Sequence, residues 1–199
     1  MDAEDWDARY RTSELIWTAE PNRFVVEVLE ASTPGRGVDL ACGEGRNAVW
    51  LAERGWTMTA ADFSGAALAK AAALAGARGV ELTLVQADAA TWTPPADQDL
   101  VLLAYLHLPA DERAAAVSHA VGACRPGGQV VVVGHARANL DGGYGGPQEP
   151  TILLEPDEVA ADLVAAGAEV LRAEHVERPV ATEDAERTAI DTLVVARRP

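Results

Sequence analysis

The stretch VDLACGEGRNAVWLAERGW, from Val38 to Trp56, constrains the fold more than any other part of the chain. It joins a short apolar run to a glycine-rich turn, and the turn leads into apolar residues at helical spacing. A buried strand that enters a tight turn and then a helix is the opening unit of a sheet with crossover helices. The stretch therefore predicts a parallel sheet that is covered by helices on both faces.

The same alternation of apolar runs and helical patterns continues through most of the chain. Strands are expected at 37–41, 57–62, 80–87, 99–106 and 129–136, and helices at 24–31, 46–53, 65–76, 109–124 and 156–166. The segments 169–180 and 187–198 look like two strands with a short acidic link, which predicts an antiparallel pair. Residues 138–150 contain four glycines and two prolines and are expected to form a loop. We therefore predict an α/β fold, a three-layer αβα sandwich.

Composition and charge narrow the range of functions. A formal net charge of −15 and the lack of a basic stripe argue against nucleic-acid binding. The N-terminal MDAEDWDARY has no apolar core, and no apolar run approaches the roughly 20 residues that cross a bilayer. Cys42 and Cys124 are too few for a disulfide scaffold, and free thiols fit a reducing compartment. These features predict a soluble, cytoplasmic protein that has no membrane partner.

Glycine spacing in the first turn favours an adenosine-bearing ligand. Gly43, Gly45 and Ala48 match the spacing of dinucleotide-binding loops, and Asp62 ends the second strand 19 residues after Gly43. A carboxylate at that place can accept both ribose hydroxyl protons. Asp88, which follows the third strand, could accept from the adenine amino group, although an aspartate there is also a common turn residue.

Two acids bear on the choice between adenosine ligands. Asp39 and Glu44 lie on or beside the turn, where backbone N–H groups would hold the diphosphate of NAD. These acids would oppose a diphosphate and favour the sulfonium and ammonium groups of S-adenosylmethionine. An NAD(P)-linked Rossmann oxidoreductase is the alternative, although little of the chain is left for a second catalytic domain.

Five segments together resemble the motifs of class I S-adenosylmethionine-dependent methyltransferases over nearly the whole chain. They are VDLACGEGRN, AADFS, QADAATW, DLVLLAYLHLP and RPGGQVVVV, with Ala41 where many members carry the first glycine. The GRN continuation and the compact length resemble the small-molecule branch around tellurite-resistance and thiopurine-type methyltransferases. The resemblance implies a seven-stranded, Rossmann-like sheet of order 3-2-1-4-5-7-6 with strand 7 antiparallel. It also implies a single domain over 1–199, in which residues 1–20 form a lid.

The resemblance further implies a donor site for S-adenosylmethionine along the strand ends. Residues implied around the methionine moiety are Asp39, Ala41, Cys42, Gly43, Gly45, Arg46 and Asn47. Asp62 would hold the ribose. Residues implied near the adenine are Phe63, Ser64, Asp88 and Ala89, and those under the transferring centre are Ala104 and Tyr105.

The sequence says less about the residues that would contact the methyl acceptor. His107, just after the fourth strand, is the best-placed candidate base, and Tyr105 beside it is a second catalytic candidate. His135 ends the fifth strand and, like His107, could contact the acceptor. Each histidine could instead cap or pack, so these roles are hypotheses. A thiolate or a reduced chalcogen would need no base, whereas a hydroxyl or a protonated amine would.

Aromatic residues near the N-terminus could form a lid over the site. Trp6, Tyr10 and Trp17 precede the first strand in a chain that is only 5% aromatic. They could cover a flat or apolar acceptor and exclude water, or they could simply pack that segment onto the domain. Tyr144, in the glycine-rich DGGYGG, could form a mobile second wall and contact the substrate.

Other kinds of methyl transfer fit the sequence poorly. The turn after the fourth strand reads Ala104-Tyr105-Leu106-His107, without the Pro-Pro of DNA amino-methyltransferases. The acids have no spacing that predicts a metal site. We therefore predict an enzyme that transfers a methyl group in line to an S, O, N or chalcogen nucleophile of a small molecule. A non-catalytic S-adenosylmethionine-binding protein is a second alternative, and either a monomer or a homodimer is compatible with the sequence.

Overall fold

A seven-stranded sheet of order β3-β2-β1-β4-β5-β7-β6 forms the centre of the computed structural model, which describes residues 3–12, 15–16, 18–182 and 185–199. The strands are β1 Arg36–Leu40, β2 Thr57–Asp62, β3 Thr83–Gln86, β4 Gln98–Ala104, β5 Cys124–His135, β6 Glu169–Ala181 and β7 Glu186–Arg197. The first five strands run parallel, and β7 pairs antiparallel with both β5 and β6. The predicted α/β fold and strand order are confirmed.

Helices flank the sheet, and polar caps or glycines fix several of their ends. They are α1 Ala3–Tyr10, α2 Arg23–Leu29, α3 Arg46–Ala52, α4 Gly65–Arg78, α5 Ala110–Ala123, α6 Asn139–Gly142 and α7 Pro156–Ala165. Asn22 Oδ1 accepts the Phe24 N–H at 2.8 Å, and Ser64 Oγ accepts the Ala67 N–H at 3.1 Å. Gly79 ends α4 in the left-handed conformation. None of the helices in the described ranges is both long enough and apolar enough to span a bilayer.

The central strand β4 contributes to the core on both faces of the sheet. Leu100 and Leu102 pack into a cluster with α2, α3 and α4, whereas Val101 and Leu103 pack into a cluster with α5 and α7. All four residues are at most 3% exposed. A strand that is covered on both faces needs apolar residues at successive positions, as this run has. The helices therefore form the two outer layers of the predicted sandwich.

Local boundaries differ from the sequence expectations in three places. The sequence did not predict α1. The loop expected at 138–150 contains the short helix α6, because the Asn139 side chain donates to Gly145 O and accepts from the Ile190 N–H, both at 2.7 Å. Strand β5 begins at Cys124, before the Pro-Gly-Gly sequence that was expected to precede it.

Candidate active site

The carboxyl ends of the parallel strands meet at one edge of the sheet. Strands β1, β2, β4 and β5 end there at Leu40, Asp62, Ala104 and His135, respectively. In open α/β sheets, ligands bind beyond this edge. The candidate site is therefore built from the turns that follow these strands, beginning with the turn 41–45 after β1, which we call the first turn.

The first turn contains three residues in the left-handed region. They are Ala41, Gly43 and Gly45, with φ of 63°, 54° and 81°, respectively. Ala41 carries a Cβ there, which costs roughly 1–2 kcal/mol. Gly45 has a second reason to lack a side chain, because a Cβ would lie 2.7 Å from the Ala71 Cβ. The bare Gly45 therefore lets the start of α3 pack closely against α4.

Asp39 lies in β1 beneath the first turn and is 0% exposed. Neither of its carboxylate oxygens forms a hydrogen bond of normal geometry with a described residue, although the nearby Ala48 N–H and Arg46 favour its ionised form. Burial raises the pKa of Asp39 to about 7, and the nearby Asp62 carboxylate adds to the rise. A buried acid without a well-formed hydrogen bond is unusual in a folded protein, and it suits a ligand that brings its own positive donor.

Asp62, at the end of β2, is held by two backbone amides. Its Oδ2 accepts the Gly43 N–H at 2.8 Å, and its Oδ1 accepts the Ser64 N–H at 2.9 Å. The residue is buried, and this burial raises the pKa of its carboxyl. The two amides orient the carboxylate and leave further lone pairs that can accept from hydroxyl groups.

Three amides of the first turn are engaged within the chain. Besides Gly43, the Cys42 N–H donates to Ala61 O at 2.9 Å, and the Gly45 N–H donates to Cys42 O at 3.0 Å. These three amides are therefore not free to bind the carboxylate of a ligand. For the same reason they do not form a cradle for a diphosphate.

Glu44 does not favour a cationic ligand, contrary to the expectation from the sequence. Its carboxylate forms an ion pair with Lys70 Nζ at 2.9 Å, and the Glu44 side chain is 3% exposed. The same carboxylate accepts the Ile16 N–H at 2.9 and 3.1 Å. Its charge is thus neutralised and serves to hold the N-terminal segment. Of the two acids in that expectation, only Asp39 is left to favour a cationic ligand.

Helix α1 is attached to the beginning of α4. The Asp7 carboxylate accepts from the Ser64 hydroxyl and from the Ala66 N–H, the latter at 3.2 Å. The hydrogen bond from Ser64 lowers the pKa of Asp7. A carboxylate at a helix N-terminus satisfies free amides and complements the helix dipole. The N-terminal helix is therefore docked against the wall of the site that contains Asp62.

Aromatic residues of α1 lie over the first turn. Tyr10 is 5% exposed, and a Cβ on Gly43 would lie 3.0 Å from its hydroxyl oxygen. Trp6 stacks on Tyr10 with ring centroids 5.5 Å apart. Trp17, the third aromatic residue of the predicted lid, lies outside the described residues. Tyr144 is 46% exposed in the glycine-rich segment that follows α6.

Several residues of the implied donor site have side chains that support the fold. Asn47 Oδ1 accepts the Asn22 N–H at 2.9 Å and so ties α3 to the start of α2. The Ser64 hydroxyl caps α4 and donates to Asp7. Ala89 and Cys42 pack in the two apolar clusters, and burial raises the pKa of the Cys42 thiol. These four residues therefore stabilise the structure around the site.

The remaining implied donor residues lie at strand ends with different exposure. Asp88 is exposed, and its Oδ1 accepts the Ala90 N–H at 2.8 Å, which is the turn role left open for it. Phe63 and Ala104 are partly buried at the ends of β2 and β4. The structure therefore brings these residues to the same edge as Asp39 and Asp62.

Tyr105 follows β4 and belongs to a group of five side chains that we call the acceptor-side cluster. The cluster consists of Tyr105, His107, His135, Arg178 and Asp191. Tyr105 has a φ of 60°, and its hydroxyl donates to Asp191 Oδ2 at 2.7 Å. The same hydroxyl accepts from Asn22 Nδ2 at 3.1 Å. Burial, together with the Asp191 charge, raises the pKa of Tyr105. The phenol therefore stays protonated and acts as a donor to Asp191.

His107 is poorly arranged for the base role that the sequence suggested. Its Nε2 accepts the His135 N–H at 3.1 Å, so that lone pair is occupied. Burial lowers the pKa of His107 to about 4, and the nearby His135 contributes to this shift. The imidazole is neutral at physiological pH and holds the backbone at the end of β5.

Sequence reasoning missed Asp191, which is 0% exposed in β7. Besides the Tyr105 hydroxyl, Arg178 Nε donates to its Oδ2 at 2.9 Å, and His135 Nδ1 lies 3.2 Å from its Oδ1. Burial alone would raise the pKa of Asp191, but the contacts with His135, Arg178 and Tyr105 outweigh it and lower the pKa. The only available signal was a single acid within the apolar run AIDTLVV.

Arg46, at the start of α3, places a positive charge between the first turn and the acceptor-side cluster. Its guanidinium carbon lies 6.0 Å from the centroid of the Tyr105 ring, as does that of Arg178. Burial lowers the pKa of Arg46, whereas Tyr105 and Asp39 oppose the shift. Within the described ranges no carboxylate lies at ion-pair distance from this guanidinium. The edge thus combines a buried acid with a guanidinium that no described carboxylate neutralises.

Comparisons with known proteins agree with this architecture. Residues 38–128 match the family model of a methyltransferase domain. A trans-aconitate 2-methyltransferase from Streptomyces avermitilis is 47% identical over 73 residues, which are 35% of this chain and 27% of that protein. The matched part therefore spans about a quarter of the length of this curated relative.

Solved structures share the fold across nearly the whole chain. The N-methyltransferase NodS from Bradyrhizobium japonicum, in complex with S-adenosyl-L-homocysteine, has a TM-score of 0.73 at 17% identity, over 99% of this chain and 98% of that one. TehB from Haemophilus influenzae has a TM-score of 0.72 at 15% identity, over 99% and 67%. The domain match and the sheet order agree with the resemblance to class I S-adenosylmethionine-dependent methyltransferases that the motifs of the chain show.

Proposed function

We propose that this chain is an enzyme that transfers a methyl group from S-adenosylmethionine to a small molecule. The observation that carries the proposal is the buried Asp39 carboxylate, which forms no hydrogen bond of normal geometry with a described residue and lies beneath the first turn. A ligand ammonium group would supply a donor for such a bond. When bound, S-adenosylmethionine supplies a methyl group on a positively charged sulfur, which keeps the electron pair of the broken sulfur–carbon bond.

The residues present fit the three polar parts of this donor. Asp39 matches the ammonium group, and the half-buried Arg46 guanidinium matches the carboxylate of the methionine moiety. Asp62, oriented by two backbone amides, matches the ribose hydroxyls. Phe63 at the end of β2 offers an apolar face for the adenine. A dinucleotide fits less well, because the amides of Cys42, Gly43 and Gly45 are already engaged.

Residues 1–20 serve in this proposal as a lid within a single domain over 1–199. The support is the contact of Asp7 with the start of α4, the position of Tyr10 against Gly43, and the bond from the Ile16 amide to Glu44. A closed lid excludes water, which strengthens the electrostatic interactions inside the site. Catalysis would then rest mainly on alignment of the acceptor behind the methyl group, which can supply on the order of 7–11 kcal/mol.

The acceptor that we propose is a small molecule with an S, O, N or chalcogen nucleophile. A net charge of −15 disfavours nucleic acid as the substrate. In this proposal the acceptor lies beside Arg178 and Tyr105, whose guanidinium carbon and ring centroid are 6.0 Å apart. A cytoplasmic monomer or homodimer is the form in which we expect the enzyme to act.

Calorimetry tests the donor assignment before any acceptor is known. We expect S-adenosylhomocysteine to bind the wild-type chain and NAD(H) to give no heat. Asp62→Ala should weaken the binding by about 10–150-fold, because hydrogen bonds to a charged group contribute roughly 1.5–3 kcal/mol. Asp141→Ala, at an exposed position in α6, is the control and should bind as the wild type does. NAD(H) binding in place of S-adenosylhomocysteine would refute the proposal, as would unchanged affinity of a folded Asp62→Ala variant.

Turnover is tested by release of S-adenosylhomocysteine in the presence of 2-mercaptoethanol, phenol, benzimidazole or tellurite. These probes represent thiols, phenols, heterocyclic amines and chalcogen oxyanions. Release that depends on one of them identifies the nucleophile class. Donor binding without release for any probe would favour the non-catalytic binding protein.

A further inference from the structure

The imidazole of His135 is fixed on three sides at the edge of the sheet. His107 stacks on it with centroids 5.4 Å apart and planes 13° apart, and Tyr105 meets it edge-on at 5.0 Å. A Cβ on Gly146 would lie 2.9 Å from carbon atoms of the His135 ring, so this glycine backbone is held close to the ring. The side chain is 15% exposed. Its orientation is therefore set by packing, while part of the ring stays accessible.

The two ring nitrogens of His135 have different surroundings. Nδ1 is buried 3.2 Å from Asp191 Oδ1, at ion-pair distance, and neither atom forms a hydrogen bond of normal geometry with a described residue. Because an ionised carboxylate can only accept, the proton belongs on Nδ1. Nε2 has no hydrogen-bond partner within the described ranges and is not sealed from solvent. Its lone pair is therefore available to a molecule in the site.

Charged and titratable groups approach His135 from β6, from β7 and from the residues that follow β4. Asp191 on β7 is negative, and it also receives hydrogen bonds from Tyr105, after β4, and from Arg178 on β6. His107 is neutral, since its pKa is lowered to about 4. The Asp191 carboxylate is thus held in place and ionised beside Nδ1, where it can only accept a hydrogen bond from the ring.

We propose that His135 is the general base that removes the proton of an oxygen or nitrogen acceptor, and that Asp191 is its positioning residue. This inference rests on the proposed function. It assigns the base to His135 Nε2, in place of the His107 that the sequence favoured. Arg178 and Tyr105 hold Asp191 and take no part in the proton transfer.

The proposed proton transfer and methyl transfer conserve protons and electrons. The acceptor X–H bond breaks, its proton goes to His135 Nε2, and its electron pair stays on X. A lone pair of X forms the new bond to the methyl carbon, and the sulfur keeps the pair of the bond that breaks. The imidazolium, paired with Asp191, then returns its proton to water, so no oxidant or metal is required.

Nitrogen NMR tests the tautomer without any turnover. In the chain labelled with ¹⁵N-histidine, we expect His135 to carry its proton on Nδ1, with an unprotonated Nε2, at a pH where the ring is neutral. Asp191→Asn should shift this equilibrium toward protonated Nε2. His135→Gln assigns the His135 signals by their loss, and His175→Gln, at an exposed position on β6, should leave them unchanged. A neutral His135 that is protonated on Nε2 in the wild type would overturn the inference.

Kinetics with phenol or benzimidazole test the role of His135 directly. His135→Gln should lower kcat by about 10²–10⁴-fold and remove its limb of the pH–rate profile, while S-adenosylhomocysteine binding stays unchanged. His175→Gln should match the wild type in both rate and profile. A His135→Gln variant with the wild-type rate and profile refutes the base assignment, although the proposed function stands.

The remaining outcomes separate the two proposals. If the wild type does not bind S-adenosylhomocysteine, the proposed function fails, and the base assignment fails with it. If the wild type binds it but turns over neither probe, the NMR result decides the tautomer on which the inference depends.

Discussion

Replacing Gly45 by alanine adds one carbon where the start of α3 meets α4. The new Cβ would lie 2.7 Å from the Ala71 Cβ and 3.1 Å from its Cα, well inside the roughly 3.5–4.0 Å at which carbon atoms pack. The φ of 81° adds the cost of a left-handed non-glycine residue, roughly 1–2 kcal/mol. Overpacking adds about 1–3 kcal/mol. We therefore expect Gly45→Ala to lower the free energy of unfolding by about 2–5 kcal/mol.

Urea denaturation with a matched control separates the two contributions. Gly79 has a φ of 68°, but no described atom lies within 4 Å of the position that a Cβ would take there, so Gly79→Ala should cost only the backbone part. The double variant Gly45→Ala/Ala71→Gly should show a favourable coupling, because the second change removes the overlapping methyl group. Equal losses for Gly45→Ala and Gly79→Ala, together with no coupling to Ala71, would refute the packing argument.

Two further predictions concern the buried acids. Because the pKa of Asp39 is about 7 in the folded chain against 3.8 as its ordinary value, the wild type should lose stability as the pH rises from about 4 to 7. Asp39→Asn lacks that loss and should gain about 3 kcal/mol over the wild type between pH 4.5 and 7.5 in urea denaturation, and parallel pH curves would contradict this. Glu44→Gln weakens the contacts to Lys70 and to the Ile16 amide, so amide exchange at Ile16 should accelerate about tenfold. The control Glu53→Gln, whose carboxylate pairs with an arginine nearer the surface, should leave that exchange unchanged.

Elements with a strong local pattern were predictable from the sequence. The run Leu100–Leu103 could only be a strand covered on both faces, because it has no polar position to turn toward water. Asp62 was placed correctly at the edge, since it ends one apolar run and precedes the helix cap Ser64. These inferences depend on spacing along one segment, which a sequence records directly.

Contacts between distant segments could not be predicted in the same way. Asp191 meets His135 because β7 pairs antiparallel with β5 in a register that places these residues opposite each other. Glu44 is neutralised by Lys70, which lies in α4, the second helix after it along the chain. The sequence shows the charges of such residues but not which partners the packing of α4 and β7 brings to them.

Ser64 links helix α1 to the carboxylate at the end of β2. Its hydroxyl is bound to Asp7 of α1, while its amide is bound to Asp62. If α1 opens as the proposed lid, Ser64 and the Ala66 amide lose a shared acceptor, and the first turn of α4 becomes free to fray beside the Asp62 carboxylate. Under the proposed function, ligand release would then depend on how readily that turn unwinds, so substitutions that stiffen α4 should slow the exchange of S-adenosylhomocysteine.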